Sequence, residues 1–180
     1  MNRINVIGTT GSGKSSFSRA LACKLKYPYI EMDRVFWKPN WTEPTTEEFL
    51  NKLDSQLKSE NWVLDGNYSR TNSFKWAKAD TVIWLDYSFS RTFYQIVSRS
   101  IGRAISRNEL WPDTGNRESF SKLFSSDSIV LWFFKNYWRN KSRYPNLVKS
   151  SEFKHIKFIV LRNHKEADEF VRKVHNKFTN

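Results

Sequence analysis

The chain has 180 residues, 39% hydrophobic and 16% aromatic, with one cysteine and a formal charge of +12. Such a composition builds a single domain around a buried core, which excludes a disordered chain, and the lone Cys23 excludes an internal disulfide. Apolar runs such as Ile129–Phe134 are far too short for a bilayer, and Met1 leads straight into a strand pattern with no room for a signal peptide, so a cytoplasmic protein is expected.

The first predicted element is a strand over Ile4–Ile7. It runs into Gly8-Thr9-Thr10-Gly11-Ser12-Gly13-Lys14-Ser15, which satisfies G-x-x-x-x-G-K-[ST], and then into a helix with Phe17, Leu21 and Leu25 on one face. Glycines at 8, 11 and 13 let backbone N–H groups turn inward, and the helix that follows aims its free N–H groups and positive dipole end at the same space. That is a cradle for phosphates. Gly8 to Ser16 are the candidate contacts of ATP, with Lys14 on the β and γ oxygens and the Ser15 hydroxyl on Mg²⁺.

Further strands are predicted at Tyr29–Met32, Trp62–Leu64, Thr81–Leu85 and Ile156–Leu161, alternating with helical patterns in the manner of a mostly parallel sheet. A helix starts near Thr46, with Thr45 and Glu48 spaced as a capping box and Phe49, Leu50, Leu53 and Leu57 as its apolar face. Asp33, Asp65 and Asp86 follow the second, third and fourth strands, where ligands of open α/β sheets sit. One could stand near the metal and another orient an acceptor, while turn and helix-cap roles compete for the same residues. Trp37 and Trp41 flank a Lys-Pro-Asn turn and could stack on a base or serve packing.

Beyond the fourth strand, Phe93, Ile96, Val97, Ile101 and Ala104 mark a long helix. Residues 107–118 read as an exposed loop, and an aromatic helical stretch covers about Phe120–Trp138. The chain closes with a helix carrying Phe170, Val171, Val174 and Phe178. Residues 1–89 hold 12 Lys and Arg against 10 Asp and Glu, whereas residues 90–180 hold 18 against 8. An excess confined to one half suits a surface for nucleic acid, a site closing over phosphates, or a solvated basic face.

These segments resemble the adenylate-kinase-like P-loop proteins, and within that group they are most similar to the DNA topology modulation proteins. The resemblance rests on the P-loop, on Met32-Asp33-Arg34-Val35-Phe36-Trp37-Lys38-Pro39-Asn40-Trp41, and on Leu64-Asp65-Gly66-Asn67-Tyr68-Ser69-Arg70-Thr71. It continues through Arg99-Ser100-Ile101-Gly102-Arg103 and Gly115-Asn116-Arg117-Glu118, and so covers most of the chain. It implies an α/β fold for residues 1–180, a three-layer P-loop NTPase sandwich with a five-stranded parallel sheet in the order 2-3-1-4-5. It also implies a helical, arginine-bearing lid at about residues 99–143.

On that pattern Asp65 becomes the magnesium-side acid, and Asp86 a structural residue. Adenylate kinases carry Asp-Gly-Phe-Pro-Arg, whose arginine holds the acceptor's phosphate. Here Asp65-Gly66-Asn67-Tyr68-Ser69-Arg70 is one residue longer and lacks the proline, with Arg70 in the corresponding role. Arg99 and Arg103 match the pair at the lid base, Arg107 and Arg117 fall on the lid, and Arg162 on a loop facing adenine.

The expected function is that of a phosphotransferase of the nucleoside or nucleotide kinase type, with ATP and a small-molecule acceptor as partners. Lys14, Asp33, Arg103 and Arg107 would be catalytic, Asp33, Trp37, Arg70 and Arg117 would bind the acceptor, and Ser15 and Asp65 would manage Mg²⁺. The alternative is a nucleic-acid-associated ATPase affecting DNA topology, for which the basic second half speaks but no nucleic-acid-binding motif does.

Overall fold

Short runs of β-branched and aromatic residues separated by helical patterns can bury both faces only as parallel strands joined by crossover helices. The computed structural model of the chain describes residues 1–106, 109–111, 114–116 and 129–175, with residues 103, 104, 106 and 129 described by backbone alone. Strands β1 (Arg3–Gly8), β2 (Tyr29–Glu31), β3 (Trp62–Asp65), β4 (Thr81–Leu85) and β5 (Lys157–Leu161) form one parallel sheet. Their order is β2-β3-β1-β4-β5, as the resemblance implies. The connecting helices are α1 (Lys14–Leu25), α2 (Met32–Phe36), α3 (Thr46–Gln56), α4 (Asn72–Lys78), α5 (Phe89–Ser106) and α6 (Ile129–Lys149), and α7 (His164–Lys173) follows β5.

Alternation along each strand sends successive side chains to opposite faces. On one face Ile4, Val6, Val63, Ile83 and Leu85 meet Phe17, Leu21, Ala22 and Leu25 of α1 and Ala167 of α7. On the other, Ile7, Val82 and Trp84 pack with Trp76 of α4 and Tyr144 of α6, while Ile30, Trp62 and Leu64 pack with Phe36 of α2 and Phe49 and Leu53 of α3. This sandwich puts β1 at the centre, with β3 and β2 to one side of the cradle and β4 and β5 to the other. Among the described residues no helix is long and apolar enough to cross a membrane.

Several boundaries differ from expectation. Met32 opens α2 instead of closing β2, because the chain turns at the sheet edge, and Asp65 is the last residue of β3. The aromatic helix α6 is described from Ile129 and continues to Lys149, well past Trp138; residues 120–128 lie outside the described residues, as does Phe178. The predicted exposed loop at 107–118 is corrected where it is described, since Trp111 and Asn116 are buried. Asn116 is 0% exposed, accepts from the Trp41 N–H at 2.7 Å and donates to the Lys38 carbonyl at 3.1 Å. Trp111 lies edge-on to Trp41 with ring centres 5.9 Å apart. Local polarity read as exposure because nothing in the segment itself announces the surface it docks on.

The capping box at α3 is present. The Glu48 N–H donates to Thr45 Oγ1 at 3.2 Å, and the Thr45 N–H donates to Glu48 Oε2 at 2.8 Å. Removing the hydroxyl leaves a helix-end donor unpaired. Thr45→Ala is expected to cost about 1 kcal/mol, read as a lower urea midpoint with an unchanged slope.

Candidate phosphate-binding site

The cradle is built where β1 ends and α1 begins. Gly11, at φ 80°, lies so close to α5 that a Cβ there would stand 2.8 Å from the Thr92 carbonyl oxygen. Gly13, also at φ 80°, is the residue ahead of α1, and its left-handed turn frees the first N–H groups of that helix. The turn is closed by the Ser12 N–H on the Thr9 carbonyl at 3.0 Å. Thr9 and Ser12 are buried, Thr10, Gly13, Lys14 and Ser15 are half-buried, and Ser16 is exposed. Such a turn at a helix N-terminus attracts anions through its N–H groups and the helix dipole.

Lys14 donates to the Thr9 carbonyl at 3.5 Å. Loss of hydration pushes its ammonium below the ordinary lysine range, the nearby charge of Arg99 does the same, and the carboxylates of Asp65 and Asp33 oppose them. Two acids expected from different strand ends are therefore brought to one lysine. Asp65 is 4% exposed; its Oδ2 accepts from the Tyr29 hydroxyl at 3.0 Å, and its Oδ1 is buried without a hydrogen-bond partner. With the Ser15 hydroxyl, that oxygen is a hard donor of the kind Mg²⁺ takes directly or through water. The residues present fit that ion.

Asp33 sits in α2 just beyond β2 and is exposed. Its Oδ1 accepts from the Tyr68 hydroxyl at 2.8 Å. Protein crowding around the carboxyl raises its pKa above the ordinary aspartate value, while the Tyr68 hydrogen bond and the charge of Lys14 pull it down. Asp86, by contrast, pairs with Lys141 of α6 at 2.6 Å, a structural ion pair on the far side of β1.

The remaining expected residues divide. Arg99 of α5 reaches the cradle, donating to Thr10 Oγ1 at 3.5 Å. Arg70 is exposed, with its guanidinium 5.0 Å from the Phe36 ring centre, and Trp37 is half-buried, edge-on to Phe36 at 5.0 Å and to Trp41 at 5.4 Å. Arg162 is exposed and lines a groove of about 320 Å³ with Trp84, Asp86, Lys141 and Pro145. His164, the first residue of α7, lies beside the cradle, for a Cβ on Gly13 would lie 3.6 Å from its Cε1. Arg107 and Arg117 lie outside the described residues, as does the side chain of Arg103.

Sequence reasoning missed the residues that hold this site. Asn67 closes on Gly8 in both directions: the Gly8 N–H donates to its Oδ1 at 3.0 Å, and its Nδ2 donates to the Gly8 carbonyl at 2.8 Å. Tyr29 and Tyr68 each bind one oxygen of an acid. Asn67 and Tyr68 stand in the Asp-Gly-Asn-Tyr-Ser-Arg stretch, so the segment could be singled out, but its partners 59 and 35 residues away could not.

Solved structures share this arrangement of strands and helices. A gluconokinase from Sinorhizobium meliloti 1021 matches with a TM-score of 0.51 at 18% identity, over 95% of this chain and 87% of its own. A shikimate kinase from Acinetobacter baumannii, solved in complex with shikimate, matches with a TM-score of 0.56 at 13% identity, over 96% and 90%. The fold is that of the P-loop kinases. A shikimate kinase from Bacteroides thetaiotaomicron carries it too, at a TM-score of 0.53 and 14% identity, over 96% of this chain and 95% of its own. At such identities the likeness is one of fold alone. No protein-family model matches the chain, and no curated protein matches it.

In this P-loop kinase fold the Tyr68 hydroxyl stabilises the ionised form of Asp33. Tyr68→Phe is expected to move the Asp33 pKa upward, followed by carboxyl ¹³C chemical shifts against pH. A downward or absent shift would show that the hydroxyl does not bind the carboxylate.

Proposed function

We propose that the chain is an ATP- and Mg²⁺-dependent phosphotransferase that moves the γ-phosphoryl group to a small-molecule acceptor. The observation that carries this reading is the meeting of one lysine and two carboxylates: Lys14 is coupled to Asp65 at the end of β3 and to Asp33 beyond β2. A site for binding alone has use for the first acid but not for the second, which faces solvent where an acceptor can arrive. That the structures of like fold are a gluconokinase and shikimate kinases supports a small acceptor.

In this reading the backbone N–H groups of the turn other than those of Gly8 and Ser12, which Asn67 and Thr9 already engage, hold the phosphate oxygens together with the start of α1, and Ser16 completes that first turn. Lys14, whose hydration the surrounding protein reduces, pulls on the charge that develops on the transferring group. Ser15 and the free oxygen of Asp65 would hold Mg²⁺, which when bound would supply further neutralisation of that charge. Asp33 keeps one oxygen on Tyr68 and offers the other to an acceptor hydroxyl, whose proton it takes. Its raised pKa makes it a stronger base than an ordinary aspartate. Arg99 reinforces the cradle through Thr10, while Arg70 and Trp37 bind the acceptor, one by charge and one by its ring face.

A second reading, a nucleic-acid-associated ATPase, is favoured by one feature. Helix α6 exposes Trp132 (58%) and Trp138 (66%) beside the exposed cations Lys135 and Arg139, a pairing of rings and charge that suits single strands.

One assay weighs both. ADP formation from Mg-ATP is measured across nucleosides, nucleoside monophosphates, sugar acids and shikimate, with Lys14→Ala as the blank, and separately with single-stranded DNA. A single acceptor is expected to raise the rate in the wild type only. Stimulation by DNA and by no small acceptor would replace the kinase reading with the second. With that acceptor, Asp33→Asn is expected to lower kcat at least about a hundredfold. Because Asp33 acts ionised and its pKa is raised, turnover should fall on the acid side through a pH above 3.8, and the Asn variant should lose that limb.

A further inference from the structure

Among the described residues, one buried lysine has no task in the chemistry above. Lys75 of α4 is 0% exposed, and among the described residues no ion pair includes it. Burial pushes its ammonium well below the ordinary lysine range, and the charge of Arg143 adds to the effect. A methionine or leucine would fill the space without desolvating an amine, so stability alone does not explain a lysine there. What the lysine adds is a donor. Its Nζ donates to the Asn67 carbonyl and, at 3.4 Å, to the Gly66 carbonyl, and it lies 3.9 Å from the sulfur of Met32, the residue before Asp33.

Those two carbonyls belong to the loop that clasps the cradle. The Gly66 carbonyl also receives Asn5 Nδ2 at 3.2 Å, and Asn5 Oδ1 receives the Trp76 indole N–H at 2.8 Å. Asn67 carries its carbonyl on the same Cα as the side chain that grips Gly8 at 2.8 and 3.0 Å. Fixing the carbonyl restricts the swing of the amide. A continuous polar path, buried at Lys75, Asn5 and Trp76 and part-buried at Asn67, thus leads from α4, through the loop after β3, to the first residue of the phosphate cradle.

We propose that Lys75 is a positioning residue for nucleotide binding, which holds the Gly66 and Asn67 carbonyls from beneath and so aims the Asn67 amide at Gly8. The proposal rests on the reading of the cradle as a triphosphate site. Lys75 touches neither nucleotide nor acceptor; it acts through Asn67, and that makes its effect separable from packing.

The test uses the full chain with a fluorescent N-methylanthraniloyl-ATP and Mg²⁺, together with hydrogen exchange of the Gly8 amide in nucleotide-free protein. Lys75→Met and Asn67→Ala are each expected to raise the Kd by about tenfold and to speed Gly8 exchange relative to Val6. Residues acting in series do not add, so the double variant should bind no worse than the weaker single one. Losses that multiply in the double variant would mean Lys75 acts by a separate route and would overturn the proposal. So would a folded Lys75→Met protein with wild-type affinity and exchange. If Lys75→Met does not fold, Lys75→Gln is read in its place, expected to bind between wild type and Asn67→Ala. An Asn67→Ala variant that binds and exchanges as wild type overturns the proposal whatever the lysine variants do. Wild-type protein that binds no probe would instead overturn the triphosphate reading, while Gly8 exchange still reports on the clasp.

Discussion

A turn that points several backbone N–H groups into one small space sets like dipole ends against one another, and it has few internal hydrogen bonds to hold it. The stretch from Gly8 to Ser15 meets that constraint by being held from outside. Asn67 takes both polar groups of Gly8, α5 presses against Gly11 closely enough to leave no room for a side chain, and α1 begins at once after Gly13. Three elements close on this segment, and two of them, the loop after β3 and α5, come from parts of the chain outside it. The central place of β1 in the sheet makes this possible, because β3 and β4 flank it and each delivers its following loop to the same end.

The electrostatics follow from the same placement. Strands β3 and β2 succeed one another on one side of β1, so the charges of the acids at their ends both act on Lys14. Each acid has one oxygen engaged by a tyrosine hydroxyl, Asp65 by Tyr29 and Asp33 by Tyr68, and both phenols are held in their neutral, donating form by burial and by the carboxylates themselves. The acids differ in exposure, and that difference separates their chemistry. Asp65 turns its other oxygen into a buried space, while Asp33 faces solvent. Asp86, on the other side of β1, pairs with Lys141 of α6 and contributes an ion pair.

A seam joins the turn at Lys38–Trp41 to residues 111, 114 and 116. Asn40 and Trp41 adopt φ of 57° and 59°, a left-handed pair that residues with side chains take at a cost. The Asn116 amide holds the turn through Lys38 and Trp41, and the Asn40 N–H donates to the Thr114 carbonyl at 3.0 Å. The indole of Trp111 in turn donates to Glu31 at 3.3 Å, two residues before Asp33. The row of rings from Phe49 through Phe36, Trp37 and Trp41 to Trp111 therefore has its Trp111 end tied to Glu31, two residues from the exposed Asp33.

The sequence by itself determined the parts whose cause is local. A glycine pattern between a strand and a helix dictates the phosphate turn, the Thr45–Glu48 spacing dictates the start of α3, and alternating apolar runs dictate parallel strands, all within a few residues of the observed limits. Position after a strand end singled out Asp33, Asp65 and Asp86 alike, and the family resemblance set Asp86 apart. Sequence could not say which acid would be buried, that Asp86 would pair with Lys141, or that an apparently exposed loop would bury Trp111 and Asn116. It gave no sign that Lys75, in a run resembling any helix surface, would lie beneath the cradle. Those outcomes depend on contacts between residues tens of positions apart, and a hydrogen bond or a lost hydration shell is set by distance in space. Only the stacking of sheet and helices supplies that distance.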